Sequence, residues 1–507
     1  CGGSKCNSCG GYTKLRVGFM PVFKDHSFRF GASSQGEDVY EIEKSIRFND
    51  DDTPYLSRTP SSGGNRKTWT FSTWFKLSHS GISQAADGIF SAVTDSNNFC
   101  NISINNATYS IDFLQYNGGT SYRINLSDLL QDPSAWYHLV AVYDSTDPVQ
   151  AERMRLYING ERKTRFYQEA YPTLNYDSQV NHTSLHNIGR GFNAGTYSGY
   201  YFDGYMSEIQ LIDGYAYGPE YFGEFNDSNI WIPKEYTGSY GTNGFYLKGE
   251  DASDLGNDSS DNNNDYSATN LETNDQMPDS PSNNWCVLST VNKTPSIGIF
   301  NGGLGHNYYS NQYNDGASGT LMVPNSGKWY WEQIVVAANI YGGYAGFKTQ
   351  GVTNRKHTPT NVPNGGGSTV GRWGNRIFKD GPSVELLAGT PAAKEVSAIM
   401  IDLDNYEVQF YEDGAAVGSA VSIASTYSGW LPFISTNTVG SEQGVAPLQT
   451  GYTANYVARV NFGQDSTFGG ILAGNTHTDA NGLGNFKKQP PTGALAICSR
   501  NIITGLV

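Results

Sequence analysis

The stretch that decides the fold is Trp136–Asp144, WYHLVAVYD, followed after a polar turn by Arg153–Gly160, RMRLYING. The first arm alternates between two faces, and the second arm places Met154, Leu156 and Ile158 on one face. A period of two with aromatic and β-branched residues is typical of a half-buried β-strand. The Asn-Gly pair that ends the second arm supplies the positive φ angles of a tight turn. The stretch therefore predicts an antiparallel β-hairpin.

A second hairpin far downstream repeats this design. Residues 408–417 read VQFYEDGAAV, so Phe-Tyr-Glu-Asp-Gly stands where the first half has Leu-Tyr-Ile-Asn-Gly. Short aromatic-rich segments separated by turn residues occur in both halves, and this pattern favours β-sandwiches. The repeat predicts two sandwiches built on one plan.

Composition narrows the class of protein. A chain of 507 residues is expected to form two or three domains. The 59 glycines, 34 tyrosines and only 16% charged residues favour an all-β protein with many turns. The formal net charge of −15 argues against a nucleic-acid partner, because such a partner requires a basic face. No apolar run reaches the roughly 20 residues of a membrane span, so we expect none.

Six blocks of the first half resemble, in their order, a LamG domain, the concanavalin A-like jelly roll of laminin G and pentraxin relatives. The blocks are Phe48, Trp69–Lys76, Trp136–His138, Leu156–Gly160, Ile188-Gly189 and Gly204–Ile209. The resemblance spans roughly residues 45–247 and implies a two-sheet sandwich there.

The second half resembles another concanavalin A-like sandwich, the SPRY domain. The resemblance lies in Lys328–Glu332 (KWYWE), Gly346-Phe347 and Ile401–Asp404, which precedes the turn at Asp413-Gly414. It implies a sandwich with a C-terminal extension over residues 285–507. The expected fold class is therefore all-β, with two concanavalin A-like jelly-roll sandwiches in tandem and an extended N-terminal arm.

Residues 248–284 between the two sandwiches are dense in Asp, Asn and Ser. Turn-forming side chains predict a linker. Residues 258–265 (DSSDNNND) also resemble a phrase found near the first strand of LamG domains. A second interpretation is therefore that this segment completes a sheet.

Residues 1–44 contain too little apolar material to fold alone, so we expect an anchoring arm. Cys1, Cys6 and Cys9 are its candidate anchoring thiols, through intermolecular disulfides. A zinc site with His26 as the fourth ligand is the alternative. The scattered cysteines are expected to be small buried apolar residues of a reducing fold, namely Cys100, Cys286 and Cys498.

The amino-acid sequences of several segments resemble those of structural proteins of marine tailed phages. These segments are residues 48–60, 64–70, 132–138 and 240–247. The resemblance implies a virion-surface protein, either a tail fibre or a capsid fibre or decoration appendage. We expect it to contact other virion proteins through the arm, to form a homo-oligomer with a trimer favoured, and to meet host surface glycans.

We expect no enzymatic activity and no required cofactor. Retaining glycoside hydrolases carry two carboxylates about 5 Å apart in a cleft. Asp203 and Glu208 bracket one predicted strand, but their odd separation turns them to opposite faces. Asp402 and Asp404 share a face, which is typical of a solvated strand end.

Two kinds of binding residue remain. LamG relatives often bind calcium at the sandwich rim, and hard cations prefer several oxygen ligands. The calcium candidates are Asp50, Asp51, Asp52, Asp258 and Asp261. Loop tyrosines supply rigid contact area for sugars or proteins, and the candidates are Tyr197, Tyr200, Tyr201, Tyr308, Tyr309 and Tyr313. Packing between virion subunits is the competing interpretation of these tyrosines.

Two other functions compete with the virion protein. One is a glycan-binding adhesin at the cell surface, and the other is a polysaccharide depolymerase. Residues 1–20 lack the apolar core of a signal peptide, which we take to weigh against the adhesin. The missing carboxylate pair weighs against the depolymerase.

Overall fold

The computed structural model describes residues 40–78, 85–130, 132–193, 195–294, 297–308, 316–337, 344–350, 367–380, 383–435 and 457–504. Several sequence candidates lie outside these residues, namely Cys1, Cys6, Cys9, His26, Tyr309 and Tyr313.

Strands make up most of the described regular structure. Those of the first half are β1 (Ser45–Phe48), β2 (Tyr55–Arg58), β3 (Thr68–Leu77), β4 (Ala86–Asp95), β5 (Asn98–Asn105), β6 (Ser110–Asn117), β7 (Thr120–Leu126), β8 (Trp136–Asp144), β9 (Met154–Ile158), β10 (Glu161–Lys163), β11 (Phe166–Ala170), β12 (Leu185–Ile188), β13 (Gly204–Asp213), β14 (Gly223–Phe225), β15 (Trp231–Pro233), β16 (Phe245–Leu247), β17 (Ser267–Thr269) and β18 (Gln276–Met277). Those of the second half are β19 (Leu288–Lys293), β20 (Ile297–Phe300), β21 (Gly305–Tyr308), β22 (Gly316–Gly319), β23 (Lys328–Ala337), β24 (Tyr344–Thr349), β25 (Thr369–Trp373), β26 (Arg376–Lys379), β27 (Ser383–Leu386), β28 (Ser397–Asp402), β29 (Glu407–Glu412), β30 (Ala415–Ser422), β31 (Trp430–Ser435), β32 (Val457–Asn461) and β33 (Ala494–Ala496). Helix α1 is Ser499–Thr504, and single 3₁₀ turns lie at Asp50–Asp52, Gln150–Glu152, Pro219–Tyr221 and Thr273–Asp275.

Two antiparallel sheets face each other in the first half. One has the order β10-β9-β8-β3-β13-β1-β18, and β16 also pairs with β13. The other has the order β11-β7-β6-β5-β4-β12-β2-β17. Aromatic rings join them: Phe71 of β3 stacks on Phe90 of β4 at 4.7 Å, and Trp69 meets Phe113 at 5.6 Å. The predicted sandwich is confirmed.

The hairpin is formed by β8 and β9, and β9 turns into β10 through Asn159 and Gly160, whose φ angles are 50° and 79°. Leu139, Ala141 and Tyr143 face the core. A half-buried strand predicts one solvated face, but both faces of β8 are buried, because residues 212–246 cover the second one. That cover includes Ile212, Phe222, Tyr236 and Tyr240, which pack on Val140 and Val142.

The Asp- and Asn-rich segment 248–284 completes both sheets of the first sandwich. Its β17 pairs with β2, and its β18 pairs with β1. Tyr266 lies in the core, where its ring contacts Phe245 at 4.7 Å. Of the two interpretations made from the sequence, the structure matches the sheet-completing one.

The second half also contains two facing sheets. Their orders are β19-β22-β31-β24-β25-β26-β27 and β20-β21-β32-β23-β28-β29-β30, with β33 parallel to β23. Trp329 and Trp331 of β23 pack into one core with Phe347 of β24 and Trp430 of β31. The predicted echo of the first hairpin is present as β29 and β30, joined by Asp413 and Gly414 at φ angles of 45° and 87°.

Buried polar contacts join the two halves. Lys76 Nζ donates to Asp279 Oδ2 (2.8 Å) and also to the backbone oxygen of Trp285 (3.0 Å), the first residue of the second half. Arg47 Nη1 donates to Asp465 Oδ2 at 3.0 Å. At the same junction Arg500 of α1 forms an ion pair with Glu41 at 2.6 Å, which places the two ends of the described chain side by side.

The three scattered cysteines, Cys100, Cys286 and Cys498, are buried and free, as predicted. Within the described ranges, none of the helices combines the length and the hydropathy needed to cross a bilayer.

Candidate functional site

The candidate site is one end of the first sandwich, where the loop between β12 and β13 meets the start of β4. We call residues 189–203 the rim loop. Backbone hydrogen bonds join the beginning of the rim loop to its end: Phe202 N donates to Gly189 O (2.9 Å), and Gly191 N donates to Tyr200 O (2.8 Å). It is tied to β4 by Ala85 N, which donates to Gly199 O at 2.9 Å.

An arginine fixes the base of the rim loop. The guanidinium of Arg190 lies between the rings of Tyr55 and Tyr197, with its carbon 3.4 Å and 4.0 Å from the ring centroids. Its Nε and Nη2 donate to Asn187 Oδ1 at 3.0 and 2.8 Å. Part of the Tyr197 ring is therefore used for packing within the chain, and packing between subunits stays a prediction.

The other two rim-loop tyrosines are half-buried. Tyr200 OH accepts a hydrogen bond from Asn193 Nδ2 at 2.8 Å, and Tyr201 bridges to Arg190 through the backbone. Each of these two rings is thus partly available to a ligand. Tyr308 ends β21 in the second half, where it pairs with Ile297.

Three buried aspartates, which we call the rim carboxyls, lie behind the rim loop: Asp50, Asp87 and Asp203 are 7%, 1% and 3% exposed. Asp203 Oδ1 accepts a hydrogen bond from Ser78 Oγ at 2.8 Å. The side-chain amide of Asn106 is oriented so that its nitrogen faces acceptors, and this nitrogen donates to Asp87 Oδ2 at 2.8 Å. Asp87 Oδ1 has no hydrogen-bond partner among the described residues.

The rim carboxyls repel one another. Burial raises the pKa of Asp87 well above its usual value, and the charges of Asp203 and Asp50 raise it further. Burial likewise raises the pKa of Asp203, and Asp50 and Asp51 add to the effect. A buried carboxylate without a neighbouring positive charge is costly, so Asp87 and Asp203 favour either a shared proton or a bound cation.

The rim carboxyls meet part of the requirement for calcium. Hard cations take six to eight oxygens, and Asp87 Oδ1 is a buried oxygen without a donor. Across the described ranges, no three His, Cys, Asp or Glu side chains are spaced to hold one metal ion. Asp87 and Asp203 would thus hold calcium only together with backbone carbonyls or water, and the ion would supply the positive charge that these carboxyls lack.

The sequence candidates for calcium are not gathered in one place. Asp50 belongs to the rim carboxyls, while its neighbours Asp51 and Asp52 are exposed. Asp258 is saturated within its own loop: Oδ1 accepts from Tyr246 N and Ser260 N, and Oδ2 accepts from Asn264 N and Ser260 Oγ. Asp261 is exposed, at φ 67°.

The carboxylate pairs considered for hydrolysis have structural partners. Glu208 sits at a β-bulge, and its carboxylate accepts hydrogen bonds from Tyr246 OH (2.6 Å) and Tyr40 OH (3.0 Å). Asp402 forms an ion pair with Lys328 at 3.0 Å. Asp404 accepts a hydrogen bond from Gly327 N at 2.9 Å.

Sequence reasoning missed Asp87 as a candidate and considered Asp203 only as half of a catalytic pair. The two aspartates are 116 positions apart, and each stands alone before a glycine. No local pattern marks either residue as a site. Only the pairing of the rim loop with the start of β4 could reveal them.

Residues 49–216 match the laminin G family model described as the concanavalin A-like lectin/glucanases superfamily. This part of the first sandwich is thus similar to concanavalin A-like domains. The match includes the rim loop and all three rim carboxyls. A search of the curated proteins found no match.

Three of the solved structures that resemble parts of this chain all have TM-scores below 0.5. Domains LG4-5 of the mouse laminin α1 chain share 9% identity, with a TM-score of 0.31 over 85% of this chain and 92% of that one. The SPRY domain of human HERC1 shares 11% identity, with a TM-score of 0.27 over 34% of this chain and 96% of that one. The heptameric SAP-like pentraxin of Limulus polyphemus shares 16% identity, with a TM-score of 0.26 over 35% and 80%.

Proposed function

We propose that this chain is a non-enzymatic virion-surface protein that binds glycans in a calcium-dependent way at the rim of its first sandwich. The observation that carries the binding proposal is the buried, unpartnered Asp87 Oδ1 among three mutually repelling carboxyls, next to partly exposed tyrosines. The lectins named in the family description of residues 49–216 support the same class of function.

The proposed roles of the aspartates and tyrosines at the rim follow from how exposed their side chains are. Asp87 and Asp203 are buried, so they act on a cation rather than directly on a large ligand. A cation held there would fix the start of β4 relative to Asp203 and so set the position of the rim loop. Tyr200 and Tyr201 would then offer rings to the apolar faces of sugar units, a role suited to rigid amphipathic side chains.

Calcium titration of the full chain tests the cation. We expect calcium to raise the melting temperature, because an ion that binds only the folded state stabilises it by mass action. Calorimetric titration should show one site that is weakened about tenfold or more, which is about 1.4 kcal/mol, by Asp203→Asn. Asp227→Asn is the matched control, because Asp227 is an exposed loop aspartate outside the rim.

A glycan array with and without EDTA tests the ligand. The expected result is binding that EDTA and Asp203→Asn both remove, with Asp227→Asn unchanged and with no cleavage of the bound glycans. The proposed site would be contradicted if no glycan on the array loses its binding both in EDTA and in Asp203→Asn.

Placement in a virion rests on the resemblance of residues 48–60, 64–70, 132–138 and 240–247 to phage structural proteins. Trimeric assembly and attachment through residues 1–44 remain predictions made from the sequence. Mass spectrometry of purified particles tests the placement, and absence of the chain from particles would favour the cell-surface adhesin.

A further inference from the structure

A cleft of about 380 Å³ opens beside the hairpin, and none of its lining residues belongs to the rim loop or the rim carboxyls. Its walls combine residues of β3, β7, β8, β9 and β10 with the small sheet formed by β14 and β15. Clefts of 300 to 1,000 Å³ with aromatic walls and a few polar groups are the usual form of a small-ligand site. We call this space the hairpin cleft.

Aromatic rings dominate the walls of the hairpin cleft. The rings belong to Trp74, Trp136, Tyr137, Phe225 and Trp231. Phe225 is 48% exposed at the mouth, and its ring meets the edge of Trp231 at 4.9 Å. The exposed part of the Phe225 ring is therefore available to a ligand at the mouth of the cleft.

Trp231 is held in place by two glycines. A Cβ atom on Gly160 would lie 2.3 Å from its Cε3, and one on Gly223 would lie 2.5 Å from its Cε2. Both positions therefore require glycine if the indole is to stay where it is. Gly160 belongs to the turn between β9 and β10, so the same residue that shapes this turn also makes room for the wall of the cleft.

A buried histidine fixes the orientation of the same indole. Trp231 Nε1–H donates to His138 Nδ1 at 3.0 Å, and His138 Nε2 bonds Ser72 Oγ at 2.9 Å. Burial lowers the pKa of His138 to about 3, so the ring is neutral and Nε2 carries its proton. Trp74 stacks on the same imidazole at 4.7 Å. The aromatic wall is thus pre-organised, which reduces the entropy lost on binding.

The polar groups of the cleft compensate one another in charge. Lys163 Nζ lies 3.4 Å from Glu161 and 3.8 Å from Asp128. Asn229 adds an exposed amide at the mouth. Carboxylates, ammonium and amide together can accept from and donate to hydroxyl groups. Arg165 Nη1 also lies 4.0 Å from Asp128 Oδ1, so two cations stand beside the two carboxylates and the set offers no excess charge of one sign to an ion.

We propose that the hairpin cleft binds an uncharged pyranose unit of a saccharide. A pyranose has C–H faces that pack on aromatic rings and a rim of hydroxyls that both donate and accept hydrogen bonds, and the cleft offers a partner for each. A purely apolar ligand would leave Glu161, Asp128 and Lys163 without partners at the mouth. The site is distinct from the rim and needs no metal ion.

The test is a titration of the full chain, in excess EDTA, with methyl glucopyranosides, galactopyranosides and mannopyranosides. Saturation-transfer NMR and tryptophan fluorescence both report on binding at this cleft. At least one glycoside is expected to bind. Phe225→Ala should weaken that binding about tenfold, the effect of losing roughly 1.4 kcal/mol of contact. Glu161→Gln should weaken it severalfold, since one hydroxyl acceptor is lost.

Two controls separate this site from the rim. Tyr167→Ala removes another aromatic residue, 61% exposed on the edge strand β11, and should leave binding unchanged. Asp203→Asn should abolish the calcium response of the rim and leave this binding unchanged. Asp203→Asn therefore tests the proposed calcium site at the rim, and Phe225→Ala tests the proposed saccharide site in the hairpin cleft.

Besides the absence of binding by every glycoside at its highest soluble concentration, three results would overturn the assignment. One is that Phe225→Ala binds as well as the unchanged protein. Another is that methyl glucuronide binds more tightly than every neutral glycoside, because the ligand would then be an anion. The third is a dimer at the same concentration that Phe225→Ala dissociates, because the occupant would then be a second copy of the chain.

Discussion

At the scale of single residues, Glu208 shows how a buried carboxyl is held without a cation. It occupies a bulge in β13 at φ 52°, and its carboxylate accepts hydrogen bonds from two tyrosine hydroxyls. Burial raises its pKa to about 7, although those hydrogen bonds oppose the effect. Its ionisation therefore falls in the physiological range.

The first prediction concerns the pH dependence of stability. The folded pKa of Glu208 lies near 7 and the unfolded value near 4.5, so the unfolded chain loses this proton first. The stability it contributes is fully present below pH 4.5 and is lost as the pH rises through 7, by about 3 kcal/mol. Glu208→Gln removes the titration. In urea unfolding, the free energy of unfolding of Glu208→Gln minus that of the unchanged protein should rise by about 3 kcal/mol between pH 4.5 and 8.

Glu161→Gln is the matched control, because Glu161 has a 71% exposed side chain. It should unfold in parallel with the unchanged protein across this range. A difference between Glu208→Gln and the unchanged protein that does not vary with pH would contradict the shifted pKa.

At the scale of elements, the turn between β9 and β10 affects both the stability of the fold and the shape of the hairpin cleft. Gly160 has a positive φ of 79° and borders Trp231, whereas Gly118 in the turn between β6 and β7 has φ 58° and nothing within 4 Å of its Cβ position. The two glycines share a backbone requirement and differ in their surroundings.

We therefore predict different costs for the same substitution. Gly118→Ala should lower the free energy of unfolding by about 1 kcal/mol, the cost of a left-handed alanine. Gly160→Ala should cost at least about 1 kcal/mol more, because it also displaces the indole of Trp231. Urea unfolding measures both costs, and tryptophan emission should shift only in Gly160→Ala. Equal costs with unchanged emission would show that Trp231 does not depend on Gly160.

The elements also show what the sequence could predict. Alternation in β8 and β9, with Asn159-Gly160 after them, was enough to predict the hairpin and to sort its side chains onto two faces, because strand period and turn chemistry are local. The buried outer face of β8 was not predictable, because its cover comes from residues 212–246. The same holds for Trp231, which meets Trp74 across one cleft although 157 positions separate them.

At the scale of the whole molecule, the junction makes the two sandwiches depend on each other. Lys76 and Asp279 form an ion pair whose side chains are both 0% exposed. Asp279 also accepts hydrogen bonds from Trp136 Nε1 (3.0 Å) and Trp285 N (3.2 Å). Trp136 lines the hairpin cleft, so one carboxylate connects that cleft to the start of the second half.

We predict that Lys76→Met destabilises the protein by about 3 to 5 kcal/mol, because it leaves Asp279 buried without its cation. Scanning calorimetry should show one transition for the unchanged protein and two for the variant, as the sandwiches lose their shared contacts. Lys234→Met, at a half-exposed side chain, is the control and should unfold as the unchanged protein does. A loss below about 1 kcal/mol, or a single transition in Lys76→Met, would show that the pair does not couple the halves.

The ion pair between Glu41 and Arg500 has a consequence for engineering. Because the first and last described segments touch, a linker of a few residues should join them without crossing either sandwich. New ends could then open at the exposed Gly118-Gly119 turn. Such a circular permutant would keep every strand beside its present partners, and it would allow the molecule to be tethered from the tip of a hairpin instead of from the junction.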